Sequence, residues 1–291
     1  HQRRDPGPHA PGRLSGRGVG SAPARRVDWR WRVVIALIVP LVRLGRWRLD
    51  IRGLENVPAQ GSAILAFNHH SYTDAIMLAW GPVLRLHRPV RFLAKREICD
   101  SRWIGWVPRF VAAICVDRGS TGARAGALSA AEDALRSGDL VAIAPEQTIS
   151  ESLDLLPFRH GVARLSLATG APIVPTVGWG SQRFLAKGAT SGRRRLFGLP
   201  VTVRFMPPIL PEEGESPAGL TERLRIAVQA GLDEVQATYP DGLPAGAAWV
   251  PARLGGGARP HAEVLAAHEA RVRAWRDLPG DAPGGGTEPG S

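Results

Sequence analysis

Asn68-His69-His70-Ser71-Tyr72-Thr73-Asp74 sets an imidazole five residues ahead of a carboxylate. A carboxylate bonded to one ring nitrogen fixes the tautomer and leaves the other nitrogen free to take a proton from a weak nucleophile near neutral pH. On one helix the two side chains would point about 140° apart, since each step turns roughly 100°. They meet only if His69 stands on a strand-to-helix turn and Asp74 in the first helical turn. The spacing alone also fits a capping aspartate beside an incidental histidine. His70 adds a rival, a metal held by His69, His70 and Asp74, but adjacent histidines in one turn rarely share a metal and no further Cys, His or Glu cluster completes a shell.

Such a turn needs a strand before it and a helix after it. Apolar or β-branched runs at 62–67, 90–94, 111–116, 140–144, 172–177 and 201–206 read as strands. Periodic apolar residues at 73–80, 103–109, 121–137 and 159–169 read as helices between them. The alternation predicts an α/β fold with a largely parallel central sheet flanked by helices, whose sites lie beyond the carboxyl ends of the strands. A helix at 217–238 closes this unit, a loop covers 241–258, and a polar amphipathic helix spans 259–277. The expected organisation is a disordered basic tail at 1–26, a membrane-interface segment at 27–46, a folded domain at 47–240, and a loop, helix and flexible tail at 241–291.

Charge and composition narrow the class. Residues 1–53 carry twelve arginines against Asp5, Asp28 and Asp50, which accounts for nine of the net eleven positive charges. The body is therefore near neutral, and the asymmetry points to an anchoring tail. No nucleic-acid motif is recognisable, and many of the basic residues alternate with Trp and aliphatics, which argues against a nucleic-acid partner. Trp29-Arg30-Trp31-Arg32 and Gly45-Arg46-Trp47-Arg48 bracket an apolar run interrupted by Pro40. That run is too short for a span of about 20 residues, and its flanks suit a helix lying at the headgroups of an anionic, cytoplasmic leaflet. An ordinary core helix is the plainer alternative. Cys99 and Cys115 are too few for a disulfide framework and read as buried free thiols in a reducing compartment.

In its motifs and their order, the chain resembles the glycerolipid acyltransferase family. Asn68, His69 and Asp74 match that family's His-x4-Asp motif; Ile114-Cys115-Val116-Asp117-Arg118-Gly119 resembles its second; and Pro145-Glu146-Gln147-Thr148-Ile149-Ser150 resembles its Pro-Glu-Gly-Thr-Arg-Ser loop. Pro157-Phe158-Arg159-His160-Gly161, Ala171-Pro172-Ile173-Val174-Pro175-Thr176 and the segment from Arg91 through Lys95 to Glu97 follow the same pattern, so the likeness runs from about 48 to 238. Gln147 and Ile149 depart from the family's glycine and arginine.

The resemblance implies an enzyme that moves a fatty acyl group from acyl-CoA or acyl-carrier protein to a lysophospholipid hydroxyl, 1-acyl-sn-glycerol-3-phosphate first among acceptors, with no cofactor and no metal. His69 is then the base and Asp74 its orienting acid. Arg118 suits an anionic head group because a guanidinium fork matches phosphate oxygens. Glu146, Thr148, Arg159 and Lys95 are further substrate-binding candidates, and Glu146 serves equally well as a brace for its loop. Expected partners are membrane lipids and the acyl carrier, at the cytoplasmic face of the cell membrane. Ile149 cannot hold a phosphate, which leaves room for a glycolipid or another lysolipid as acceptor, or for a membrane-binding module without catalysis.

Overall fold

The computed structural model describes residues 26–103, 105–116, 121–188 and 195–276. Most of the basic tail, Arg118 and the last residues fall outside that set. The chain begins with α1 (Trp29–Leu44), whose first turn is capped by Asp28 accepting from the N–H groups of Arg30 and Trp31. There follow β1 (Arg48–Arg52), β2 (Ala63–Phe67), α2 (Asp74–Arg85), β3 (Val90–Lys95), α3 (Arg96–Cys99), α4 (Trp106–Phe110), β4 (Ile114–Val116), α5 (Thr121–Arg136), β5 (Leu140–Ile143), α6 (Gly161–Thr169), β6 (Ile173–Trp179), α7 (Gln182–Leu185), β7 (Pro200–Phe205), α8 (Pro217–Ala237) and α9 (His261–Arg276).

The seven strands form one sheet in the order β1-β7-β6-β2-β5-β3-β4. Every neighbouring pair is parallel except β6 with β7. The chain makes that reversal through α7 and a loop, because an antiparallel partner needs no helical crossover. β2 shows why the centre is stable. All five of its residues are buried; Ile64 and Ala66 face the layer of α5, α6 and α8, while Ala63, Leu65 and Phe67 face the layer of α1 and α2. Each of the larger side chains contributes about 1.5–3 kcal/mol by leaving water. A strand buried on both faces reads as a continuous apolar run, which is how SAILAF stands in the sequence.

At the opposite end of the sheet, Arg88 is 2% exposed, and its guanidinium donates to the carbonyls of Pro58 (2.6 Å), Gly61 (2.7 Å) and Gly138 (2.7 Å). Three loops are thus tied by a single cation, and its burial lowers its pKa from the usual arginine value.

Four departures from the sequence reading have local causes. β1 went unseen because RLDIR alternates charged and apolar residues in a short edge strand. α2 continues to Arg85 with Pro82 inside it, beyond the expected end at 80. The strand expected at 111–116 shrinks to Ile114–Val116, because Val111 to Ala113 close α4 as a turn. The two cysteines are joined, with Cα atoms 6.3 Å apart, so the free-thiol expectation is wrong. The 16-residue separation between them is bridged because β3 pairs with β4 and α3 directly follows β3.

α1 buries only Trp31 and Val42. Trp29, Val33, Leu37, Leu41 and Leu44 lie exposed along its other side. Among the described residues, no helix is long and apolar enough to cross a membrane.

Candidate active site

β2 ends at Phe67, and the next six residues turn the chain into α2, whose first residue is Asp74. The turn is held from across the sheet. Asn68 lies fully buried and grips β6 twice, its Oδ1 accepting from the Gly178 N–H (2.8 Å) and its Nδ2 donating to the Gly178 carbonyl (3.0 Å). His69 follows at the carboxyl end of a central parallel strand, with its ring 5.8 Å from that of Phe67.

The Asp74 carboxylate gathers four donors. Its Oδ2 accepts from His69 Nδ1 (3.1 Å) and from the N–H groups of His70 (2.7 Å) and Ser71 (2.8 Å), and its Oδ1 accepts from Ser181 Oγ (2.6 Å). Its place in the first turn of α2 adds the favourable field of a helix N-terminus. With Nδ1 donating to the carboxylate, the imidazole keeps its lone pair on Nε2. The His69 side chain is 25% exposed, against 4% for Asp74. The imidazole is therefore reachable and its carboxylate partner is not.

His70 points the other way. It is fully buried beside Trp179, and its Nδ1 lies 3.0 Å from Asn68 Nδ2. Burial lowers its pKa to about 4, so the ring stays neutral. Among the described residues, no three His, Cys, Asp or Glu side chains stand together as a metal site.

Glu146 braces the turn from a second loop. Its Oε1 accepts from the His69 N–H (3.0 Å) and its Oε2 from the Leu156 N–H (2.9 Å), with no exposure to solvent. Burial raises its pKa to about 8 despite both backbone donors, which favour the charged form. Both carboxyl oxygens of Glu146 are thus engaged by backbone N–H groups inside the protein. The Ser150 N–H donates to the His69 carbonyl (2.8 Å), so the loop holds both the backbone N–H and the carbonyl of His69.

The departures in this loop now have structural settings. Gln147 adopts φ +60°, the left-handed region that glycine occupies without penalty. Ile149 is 6% exposed and its side chain carries no hydrogen-bond donor. Thr148 and Arg159 are half-buried on the same loop, and Lys95 is exposed at the end of β3, two strands from β2 across β5. Arg118 lies outside the described residues. Ser181, whose hydroxyl fixes the far oxygen of Asp74, was not anticipated; it sits 107 residues away in sequence and carries no local signature.

Comparison with known proteins matches residues 48–179 to the acyltransferase family model. The matched segment contains His69, Asp74 and Glu146, and ends at Trp179, just short of Ser181. The chain is 29% identical over 198 residues to a 1-acyl-sn-glycerol-3-phosphate acyltransferase of Limnanthes alba, covering 62% of this chain and 67% of that one. It is 28% identical over 130 residues to the enzyme of that name from Bacillus subtilis, covering 45% and 62%. A chloroplast relative from Brassica napus is 27% identical over 144 residues, and the match spans only 40% of that protein's length. The crystal structure of the 1-acyl-sn-glycerophosphate acyltransferase of Thermotoga maritima superposes on 72% of this chain and 82% of its own, with a TM-score of 0.57 and 22% identity, which shows a shared fold.

Proposed function

We propose that this protein transfers a fatty acyl group from a thioester, acyl-CoA or acyl-carrier protein, to a hydroxyl of a lysophospholipid. The observation that carries the reading is the His69–Asp74 pair at the carboxyl end of β2, with Nδ1 committed to the carboxylate and the ring reachable from solvent. In the proposed reaction, the acceptor O–H gives its proton to His69 Nε2 as its oxygen attacks the thioester carbonyl carbon. The C–S bond then breaks, the sulfur takes the proton from the imidazolium, and ester and free thiol leave. Base assistance of this kind accounts for roughly 100- to 10,000-fold in rate. No covalent enzyme intermediate is needed.

The preferred acceptor is 1-acyl-sn-glycerol-3-phosphate, giving phosphatidate, which is the activity named for the relatives above. Arg118, Arg159 and Lys95 are the cations assigned to its phosphate. A second acceptor class is favoured by one observation: Ile149 is buried where the family motif carries arginine, so a glycolipid or a lysolipid with a different head group remains in contention. Thiol release from acyl-CoA against a panel of lysophosphatidate, other lysophospholipids and glycolipid acceptors tests both. Turnover fastest on lysophosphatidate supports the first reading, and silence across the panel overturns acyl transfer altogether.

We also place α1 at a lipid surface. Its exposed Trp29, Leu37, Leu41 and Leu44 adjoin further exposed apolar groups. Trp29 meets Phe110 of α4 edge-on at 5.3 Å, which brings the 51%-exposed Trp106 alongside, and Trp47 Nε1 bonds the Leu196 carbonyl beside the 64%-exposed Phe197. A patch of this kind rimmed by arginine suits headgroups and acyl chains. The arginines favour the cytoplasmic leaflet, whereas the Cys99–Cys115 bond runs against a reducing compartment. Flotation with anionic vesicles checks the docking; recovery of Leu37→Asp/Leu41→Asp with the vesicles at the wild-type level would contradict it.

A further inference from the structure

Beyond the matched segment the chain turns back onto it. α8 ends at Ala237, a loop containing a 3-10 turn at Ala252–Leu254 follows, and α9 begins at His261. This return meets the loop between β5 and α6 at three residues within four positions. Arg259 Nη1 donates to Glu151 Oε2 (2.8 Å), His261 Nδ1 lies 3.0 Å from Ser152 Oγ, and Arg253 Nε donates to Asp154 Oδ1 (2.5 Å). Arg253 Nη2 also reaches Asp233 Oδ1 (3.1 Å) and Gln236 Oε1 (2.7 Å) on α8, so the grip is tied to a rigid helix.

The gripped loop is the one that fixes His69. Ser152 Oγ sits 3.0 Å from Ser150 Oγ, Ser150 Oγ donates to the Asp154 carbonyl (2.7 Å), and Ser150 N–H donates to the His69 carbonyl. Both serines are buried, at 1% and 0% exposure, which excludes Ser152 as a nucleophile despite its histidine neighbour. Leu156, two residues past Asp154, supplies the second N–H to Glu146. Connections of this kind in α/β folds usually run 2–6 residues. Here residues 144–160 carry no regular element, and Leu153 stands at φ +62°. A long loop with strained backbone keeps one shape only if its surroundings impose it.

We propose that Arg253, Arg259 and His261 are positioning residues for the site: the C-terminal return holds the 146–156 loop in the shape that fixes the backbone of His69. All three lie outside the segment that matches the family. The proposal rests on the acyl-transfer reading for its catalytic consequence, and on loop order for its structural one.

The test uses the full chain carrying Arg259→Ala, His261→Ala and the double variant, with Arg225→Ala on α8 as control, since Arg225 pairs with Glu222 at the surface of its own helix. Arg259 is 49% exposed, and Glu151, 15% exposed, keeps Lys187 Nζ at 3.2 Å when Arg259 is removed, so no carboxylate is left unpaired and the variants fold. Backbone hydrogen exchange over 146–156 should quicken about tenfold in the double variant, and kcat should fall about tenfold with KM for both substrates within about twofold, because small misplacement of a catalytic group acts on the reacting geometry. His261→Asn, whose amide reproduces the Nδ1 contact, should recover most of both losses. Unchanged exchange, unchanged kcat or a loss confined to KM overturns the proposal. Wild-type protein that releases no thiol overturns the acyl-transfer reading instead, and the exchange measurement then decides by itself whether the return braces the loop.

Discussion

Replacing Glu146 by glutamine should lower stability at pH 5 and raise it at pH 8.5. The wild-type carboxyl has no solvent contact, and burial moves its pKa from 4.5 to about 8. Between those values the folded protein holds a proton that the unfolded chain has released. Stability that is fully present below 4.5 is therefore lost as pH rises through 8, by at most about 5 kcal/mol. Glutamine is neutral throughout and escapes that loss. It also places an amide NH2 opposite one of two backbone N–H donors, His69 or Leu156, and the unmet donor costs roughly 1–3 kcal/mol at every pH. Chemical denaturation of both proteins at intervals from pH 5 to 8.5 should show the variant weaker at the acid end, with the gap closing and then reversing. A gap that stays constant over the whole range would refute the claim that burial outweighs the two backbone donors.

Three further outcomes follow from particular side chains. His70, with its pKa lowered from 6.5 to about 4, supports stability that is present above 6.5 and lost as pH falls through 4, up to about 3 kcal/mol, so His70→Asn should flatten the acid limb of a stability–pH curve. Gln147→Gly should stabilise by about 0.5–1 kcal/mol: relief of left-handed strain outweighs the extra backbone freedom of the unfolded chain, and a lowered melting temperature would count against it. Thiol titration of unfolded protein, alkylated directly in cells, should find no reactive cysteine; two titratable thiols would mean that Cys99 and Cys115 are apart in the cell.

The site was more legible in the sequence than the sheet around it. His69 and Asp74 could be paired because their motif stood in order with the others of the resembled family; the five-residue spacing alone fitted a capping aspartate as well, and added only that the two must meet across a turn, which β2 and α2 provide. Glu146 was visible as a motif residue with substrate contact and loop bracing both open, since nothing local says that its carboxyl faces inward to the His69 amide. Ser181, Arg253 and His261 were out of reach: each acts across more than a hundred residues or from beyond the family segment, and sequence periodicity reports only neighbours on one element. The central strands announced themselves as apolar runs. β1 did not, because an edge strand has few partners to shape its composition. The disulfide escaped because two cysteines fix no pairing until β3 and β4 align.

The central claim is that His69, steadied by Asp74, takes the acceptor's proton. Thiol release from acyl-CoA and lysophosphatidate by the wild type, His69→Ala and Asp74→Asn measures it most directly. The account predicts that turnover falls at least about 100-fold on loss of the imidazole, and substantially on loss of the carboxylate charge, while both variants stay folded. A folded His69→Ala protein that turns over within a few-fold of wild type would contradict it.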